Sequence, residues 1–477
     1  MRRMNSFDVV IIGAGSAGFS AAEAARACGA SVCLIEKDKL GGECPNWACV
    51  PSKALLKCAK VYRSATHAGE FGIVVRRVEY RFDEIMAYKD RVVNRLTGGG
   101  EVGMRYEALA KQLGIEVVRG RAVFEDAKTV KILSSSLKRI QGKTFVIATG
   151  TSEFIPPIDG LQKTGFWTFK DVMKLKTAPK SLIVLGGGPV GVEFATFFGA
   201  LGIPTTLLHN GNSILNREDA EIAELATKAL RNLGVEVLTN VQILKIGKKA
   251  KEKEVTIEIG GSVTPRNETR VAEHILLAAG KRPATDSLGL ELLGVKIDEH
   301  GSIYTNDRQK SSVANVFAAG DIDGGLQFTH TAHHEGFVAG RNSALVALDK
   351  KRGFATRDLR VVPRVTFLEP EVASVGLTQF EVEKQHKEAI VGRFPTSGLG
   401  RSLTDTALEG LIKIVAHPQT REVLGGHMIG PSAGEVIHEI ALAMNLHATI
   451  DNLGVMIHAF PTYSEAVAGA ASNWVIE

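Results

Sequence analysis

FDVVIIGAGSAGFSAAEAARACGASVCLIEK, residues 7–37, decides the fold. An apolar run leads into Gly13-x-Gly15-x-x-Gly18, an Ala-rich helical stretch follows, and a second apolar run ends on Glu36. A lone G-x-G-x-x-G carries little information. Set between strand and helix, with an acid about 20 residues on, it marks a βαβ unit that binds a dinucleotide. Gly13 makes the tight turn, Gly15 lets the backbone approach a pyrophosphate, and Gly18 permits close packing of helix on strand. The pyrophosphate would lie at the helix N-terminus, where free N–H groups and the dipole favour an anion. Glu36 would accept hydrogen bonds from a ribose. The competing reading is a Gly-rich turn that binds nothing.

The pattern returns in SLIVLGGGPVGVEFATFFGALGIPTTLLHN, residues 181–210, as strand, Gly186-x-Gly188-x-x-Gly191, helix, strand. Each unit also closes on a similar strand end, FVIATG at 145–150 and ILLAAG at 275–280. Such internal similarity implies two dinucleotides, most simply a bound flavin and a visiting nicotinamide. The second unit ends on Leu208-His209-Asn210 rather than on Asp or Glu. An acid there favours NAD and a nearby Arg accommodates the 2′-phosphate of NADP. Neither is present. NADH and NADPH both stay open, with a lean to NADPH because nothing acidic would repel its phosphate.

Between the two units lies GGECPNWACVPSK, residues 41–53, with Cys44 and Cys49. Packed thiols, metal ligands and a redox disulfide are all compatible with that spacing. On an ideal helix, positions five apart differ by roughly 7.5 Å of rise and about 140° of rotation. A disulfide needs Cα atoms within about 7 Å, so a bridge requires a broken helix. Pro45 and Pro51 each remove an N–H and make such a break plausible.

The rest of the chain narrows the class. Its 477 residues, 44% hydrophobic and 23% charged, have the composition of an ordinary globular protein of several domains. A net charge of +5 comes without a basic stripe interleaved with aromatics, which argues against nucleic-acid binding. The run KIGKKAKEKE at 245–254 carries acids too and reads as a solvated hairpin edge. Arg2 and Arg3 are followed at once by the first strand, so neither a cleaved leader nor a membrane span is expected. Five cysteines, an odd number, do not make a secreted disulfide framework. A cytoplasmic protein is expected, in which a functional disulfide would be transient and catalytic. Cys28, Cys33 and Cys58 have no motif partner, and Cys33 reads as strand core.

Cys44 and Cys49, followed by Pro51-Ser52-Lys53, resemble the disulfide segment of the pyridine nucleotide–disulfide oxidoreductases, the class I family of dihydrolipoamide dehydrogenase, glutathione reductase and mercuric reductase. NVFAAGD at 315–321 is similar to the family's second flavin segment, and PRVTFLEPEVASVGLT at 363–378 to the opening of its dimerisation domain. The resemblance spans nearly the whole chain. It implies an α/β fold with two Rossmann-like domains, for FAD and NAD(P), and a C-terminal α+β dimerisation domain. The flavin domain would hold 1–150 and 276–348, the nicotinamide domain 151–275, and the dimerisation domain 355–477. Residues 166–181 would be a polar connection and 349–358 a charged linker.

The resemblance also assigns roles. Cys49 would face the flavin as the charge-transfer thiolate and Cys44 would exchange with substrate. Lys53 and Glu193 would form the ion pair beside the flavin ring. FAD would be held by Gly13, Gly15, Gly18, Glu36, Gly42, Thr149, Gly150 and Asp321, with Asp321 on the ribityl chain. Gly186, Gly188, Gly191 and Gly280 would serve the nicotinamide.

One segment departs from the pattern. Members that handle dithiols carry His-Pro-Thr and a glutamate near the C-terminus, a general acid–base pair contributed from the partner subunit. Here the segment reads IHAFPTYSEA, 457–466, with Phe460 where that histidine would be, while Glu465 is retained. A base contributes about 10²–10⁴-fold, so dithiol turnover should suffer. His458 is a candidate replacement. Mercuric reductases also lack the histidine, and NREDAEI at 216–222 is reminiscent of them, although this chain ends ASNWVIE without their terminal cysteine pair. The expectation is a homodimeric NAD(P)H oxidoreductase whose Cys44–Cys49 disulfide serves a soft metal ion, a quinone or a small disulfide. A flavin-only diaphorase or transhydrogenase, and a non-catalytic FAD-binding component of a larger complex, are the rivals.

Overall fold

A computed structural model describes residues 5–133, 138–260 and 266–477. Arg2 and Arg3, noted above, lie outside the described residues. The chain forms two compact units, one of 1–54, 87–154 and 280–359, the other of 55–86, 155–279 and 360–477.

The first unit is built on the strand Asn5–Ile12, which pairs in parallel with Val32–Glu36 on one side and Lys138–Ile147 on the other. Its consecutive apolar residues feed both faces. Val9 and Ile11 pack with the Ala-rich Ser16–Ala27 helix, and Val10 and Ile12 pack with Phe124, Phe145 and Cys33. A run that is apolar at every position is what a sheet covered on both faces requires. Cys33 is fully buried there, and burial pushes its thiol up to about 12, so it is core. The long Lys138–Ile147 strand serves two neighbours. Its first half closes an antiparallel meander with Thr129–Leu133 and Arg121–Asp126, and its last residues pair with Val316–Ala318.

In the second unit four parallel strands run in the order Glu236–Leu238, Thr205–Leu208, Leu182–Leu185, His274–Leu277. An antiparallel sheet of Val241–Lys249, Glu252–Ile259 and Arg266–Ala272 accompanies them. The basic run at 245–254 is the hairpin of its first two strands, as its mixed charge implied. The C-terminal part of this unit is a six-stranded antiparallel sheet with the Ala433–Asn445 and Glu465–Ser472 helices packed against it.

Two segments expected to be plain connections are more than that. Within 166–181, Trp167 bridges Leu276 at the sheet edge, and Phe169–Val172 is a short helix with both of those residues buried. The apolar residues scattered among the lysines overrule the polar reading. In 349–358 the backbone is held at Ala355 by Asn342 and at Arg357 by the Asp307 carbonyl. Among the described residues no helix is long and apolar enough to cross a membrane.

Candidate active site

The two glycine turns are built alike. Gly13 has φ +102°, and a Cβ there would sit 2.3 Å from the Ala148 carbonyl oxygen; Gly186 has φ +120° and would meet Ala278 at 2.2 Å. Gly18 and Gly191 are pressed onto the carbonyls of Gly13 and Gly186, where a Cβ would lie 1.8 and 1.9 Å away. No side chain fits at these positions. By contrast Gly188 has open space before it, and Gly15 meets nothing nearer than the Gly42 Cα at 3.9 Å. These are cradles with an open floor at a helix N-terminus, the shape a pyrophosphate needs.

The strand that follows each turn supplies a matching contact. Glu36 accepts the Ala14 N–H at 2.7 Å and the Asp38 N–H at 2.7 Å, one on each carboxylate oxygen. In the second unit the His209 Nδ1 accepts the Gly187 N–H at 3.2 Å. Both bonds join residues 22 apart, from the middle residue of the glycine turn to the end of the next strand. His209 is therefore the counterpart of Glu36. Burial lowers its pKa, the Ser213 carbonyl acting in the opposite sense, and its Nε2 is buried without a hydrogen-bond partner.

Beside the first cradle the cysteine segment breaks as its prolines suggested. Glu43–Asn46 is one short helical turn, Trp47 and Ala48 leave it, and a new helix, Cys49–Thr66, begins at the second cysteine. Pro51 falls in its first turn, where a missing N–H costs nothing. Asn46 pins the loop by donating to the Leu40 and Gly42 carbonyls at 3.0 and 2.8 Å. The break brings together two thiols that an ideal helix would separate. The hydrogen bond to Cys49, with burial, pushes the Cys44 thiol well above its usual range. Thr329 and the Lys53 ammonium act in the opposite sense. Cys49 Sγ lies 3.5 Å from Thr329 Oγ1. The arrangement therefore disfavours the thiolate form of Cys44.

Around the pair, Asp321 follows Gly320 in a tight turn and accepts from Thr151 Oγ1 at 3.3 Å. Burial raises its pKa; Lys281 lowers it and Glu43 raises it further. Lys281 and Glu43 are themselves an ion pair. Thr149 donates to the Ala284 carbonyl at 3.0 Å, Gly150 and Gly280 have φ of +65° and +109°, and no atom stands within 4 Å of a Cβ at either. A flavin's pyrophosphate, ribose and ribityl chain would thus meet Gly13–Gly18, Glu36 and Asp321 in turn, and these residues fit it. In the second unit Glu193 is buried on the Pro189–Ala200 helix and accepts the Phe367 N–H at 3.1 Å.

Phe460 is 79% exposed, while the His458 side chain is 8% exposed and its Nε2 lies 2.9 Å from Glu439 Oε1. Glu465 accepts the Thr462 N–H at 2.8 Å at the start of its own helix. Thr329, Thr151, Lys281 and Glu43 carry no motif signal, and only the folded chain brings them to the site.

Two dinucleotide cradles, with a cysteine pair beside the first, define a flavin- and nicotinamide-dependent redox protein. The chain belongs to the pyridine nucleotide-disulphide oxidoreductase family, whose pattern matches residues 7–336, with the family's dimerisation domain at 362–471. It is 34% identical to the dihydrolipoyl dehydrogenase of Geobacillus stearothermophilus, over 97% of this chain and 95% of that protein. It is 32% identical to the mercuric reductase of Lysinibacillus sphaericus, over 98% and 82%. Among solved structures it is similar to the HOCl-induced flavoprotein disulfide reductase RclA from Escherichia coli, with TM-score 0.81, 27% identity and coverage of 98% and 99%. A Cu(II) complex of RclA matches with TM-score 0.82, 26% identity and the same coverage. The protein is an FAD-dependent pyridine nucleotide–disulfide oxidoreductase that uses NAD(P)H.

Proposed function

We propose that this enzyme passes electrons from NAD(P)H through the Cys44–Cys49 pair to an acceptor that needs no protein base, a thiophilic metal ion foremost. The observation that carries this reading is Phe460 where a base would stand, in a chain whose Cys44 thiol is pushed up by its hydrogen bond to Cys49 and by burial. To attack a disulfide, Cys44 would first have to lose its proton, and Phe460 cannot take it. A thiophilic metal ion removes the difficulty, because it binds thiolates and displaces their protons itself. His458 and Glu465 are engaged by Glu439 and by the Thr462 N–H, which supports leaving both out of the proton path.

Bound FAD supplies the two-electron carrier between nicotinamide and sulfur. The residues do the rest. Cys49, at a helix start and next to Thr329, is the sulfur turned to the flavin, and Cys44 meets the acceptor. Two electrons and two protons open the disulfide to two thiols. Their oxidation re-forms the S–S bond, releases both protons and leaves the acceptor reduced by two electrons. In this reading the ion is a substrate that meets Cys44 and not a resident cofactor. The names of the relatives, a mercuric reductase and a Cu(II) complex of RclA, support the same class.

His209 supports NADPH over NADH. A carboxylate keeps lone pairs for ribose hydroxyls after accepting two N–H bonds, whereas a neutral imidazole has one accepting nitrogen, and Gly187 occupies it. Nothing acidic remains to repel a 2′-phosphate. Association as a homodimer is supported by Val455, Ile457 and Phe460, which are 79%, 99% and 79% exposed in the dimerisation domain.

Anaerobic titration with NADPH and then NADH tests the reading. Uptake of two electron pairs per flavin, with a long-wavelength thiolate band lost in Cys49→Ser, is the expected result. Bleaching after one pair with no such band would make the cysteines bystanders and favour a flavin-only diaphorase or transhydrogenase.

A further inference from the structure

The turn that presents Asp321 is gripped on both sides of that residue. Before it, the Gly320 N–H donates to Glu335 Oε2 at 3.0 Å. After it, Asp323 Oδ2 accepts from Gln309 Nε2 at 3.1 Å and from Thr305 Oγ1 at 3.4 Å, and Oδ1 accepts the Gly325 N–H at 3.1 Å. The two gripping carboxylates are almost wholly buried, with side chains 2% and 3% exposed. One cation answers both. Arg357 Nη1 lies 3.1 Å from Asp323 Oδ2 and 3.3 Å from Glu335 Oε1.

Arg357 comes from the segment that the sequence presented as a charged linker. That segment is strapped to the Thr329–Ala347 helix. Asn342 exchanges hydrogen bonds with Ala355, Arg341 donates to the Gly353 carbonyl at 2.6 Å, and the Asp358 N–H reaches His334 Nε2 at 3.2 Å. The guanidinium is therefore held in place from its own backbone, and so is the helix that carries Glu335.

We propose that Arg357 is a positioning residue for the flavin: a single guanidinium nitrogen joins Asp323 to Glu335 and so holds the Gly320–Asp323 turn that offers Asp321 to the ribityl chain. The inference rests on the reading of Asp321 as a flavin-binding residue. Without the cation two buried carboxylates confront each other, and the cheapest relief is to move one of them, which carries the turn with it.

The ionisable groups acting on Glu335 are Asp323 of the turn and Arg357 of the strap. On its own helix His333 and His334 adjoin it in sequence. Burial first, then Asp323, pushes the Glu335 carboxyl up to about 7, with the Gly320 N–H and Arg357 acting in the opposite sense. Removing Arg357 moves it higher still. Below that value a protonated Glu335 still accepts from Gly320 and no longer repels Asp323; above it the repulsion is full. The defect of an Arg357 variant must therefore grow as pH rises.

The test is FAD binding to reconstituted enzyme, followed by flavin fluorescence at about pH 6 and about pH 8.5, in Arg357→Gln, Arg357→Lys, the double variant Arg357→Gln/Glu335→Gln, and Asp321→Ala. Arg357→Gln is expected to weaken FAD about 10-fold or more at the higher pH, the worth of a charge-assisted hydrogen bond, and distinctly less at the lower. The double variant, which keeps an acceptor for Gly320 and removes the repulsion, is expected to recover most of the loss, and Lys part of it. Wild-type affinity in Arg357→Gln at both pH values overturns the inference. So does a double variant as weak as the single one at both, which would mean lost packing. If Asp321→Ala binds FAD like the wild type, the reading of Asp321 falls instead, whatever Arg357 does.

Discussion

Phe460 puts a ring without a titratable proton in the segment where the family resemblance implies a base for dithiol-handling members. Replacing it tests whether the missing proton path is what excludes disulfide and dithiol substrates. Phe460→His is expected to raise kcat/KM for a small dithiol about 10²-fold, at the low end of what a general base contributes. The gain should appear as pH rises through about 6.5, where the imidazole loses its proton. Steady-state rates across that range check it, and a flat profile with no gain would mean that another step sets the limit. The cysteine pair and the departure at Phe460 were legible in the sequence, because each is a residue type at a motif position. The hydrogen bond between Cys44 and Cys49 was not, because it depends on a break in the backbone between the two sulfurs.

Among the elements, two helices of the first unit fit closely. A Cβ on Gly336 would stand 2.2 Å from the Ala17 carbonyl oxygen, and one on Gly340 2.1 Å from that of Ala21. The Thr329–Ala347 helix therefore lies backbone against backbone on the Ser16–Ala27 helix, and Ser20 donates to the His333 carbonyl at 2.7 Å across the seam. This seam fixes both the helix whose N-terminus would receive a pyrophosphate and Thr329, which touches Cys49. Gly340→Ala is expected to destabilise the protein by about 1–3 kcal/mol, the cost of overpacking, and to release FAD at lower temperature. Thermal unfolding followed by flavin fluorescence checks both, and an unchanged midpoint would show that the helices can separate at no cost. The small residues of SAGFSAAEAARA announced a helix that packs closely. Its partner, 313 residues away at the Ser20 contact, could not be read from either segment.

At the scale of the whole molecule, the second unit is pinned by a buried charge network. Lys413, with its side chain 2% exposed, pairs with Asp219 at 3.0 Å and Glu221 at 2.6 Å, and Arg393 joins Glu221 to Glu477. The nearby Arg364 pairs with Glu218. NREDAEI, remarkable in the sequence only as a family reminder, supplies three of these acids from the start of one helix. Lys413→Met leaves Asp219 buried without its cation and is expected to cost about 3–5 kcal/mol, measured by denaturant unfolding. The network also predicts a pH dependence. Burial raises the Glu221 carboxyl, but hydrogen bonds from Arg393 and Lys413 outweigh it and hold the group below its usual range. A carboxylate so depressed stabilises the fold above about pH 4.3 and loses that contribution as pH falls through its folded value. Wild-type stability should therefore fall more steeply in acid than that of the variant, and parallel curves would refute the assignment.

Local chemistry determined what the sequence could declare by itself. The glycine turns, the unbroken apolar run VVII, the proline-broken cysteine segment and the phenyl ring at 460 are each set by a few neighbouring residues, and so were open to reading. Tertiary structure alone decided which distant groups meet: His209 as the counterpart of Glu36, Lys281 against Glu43, and Arg357 between Asp323 and Glu335. The reason is physical. Backbone preferences act within a few residues, whereas burying a charge demands a partner wherever the fold can bring one.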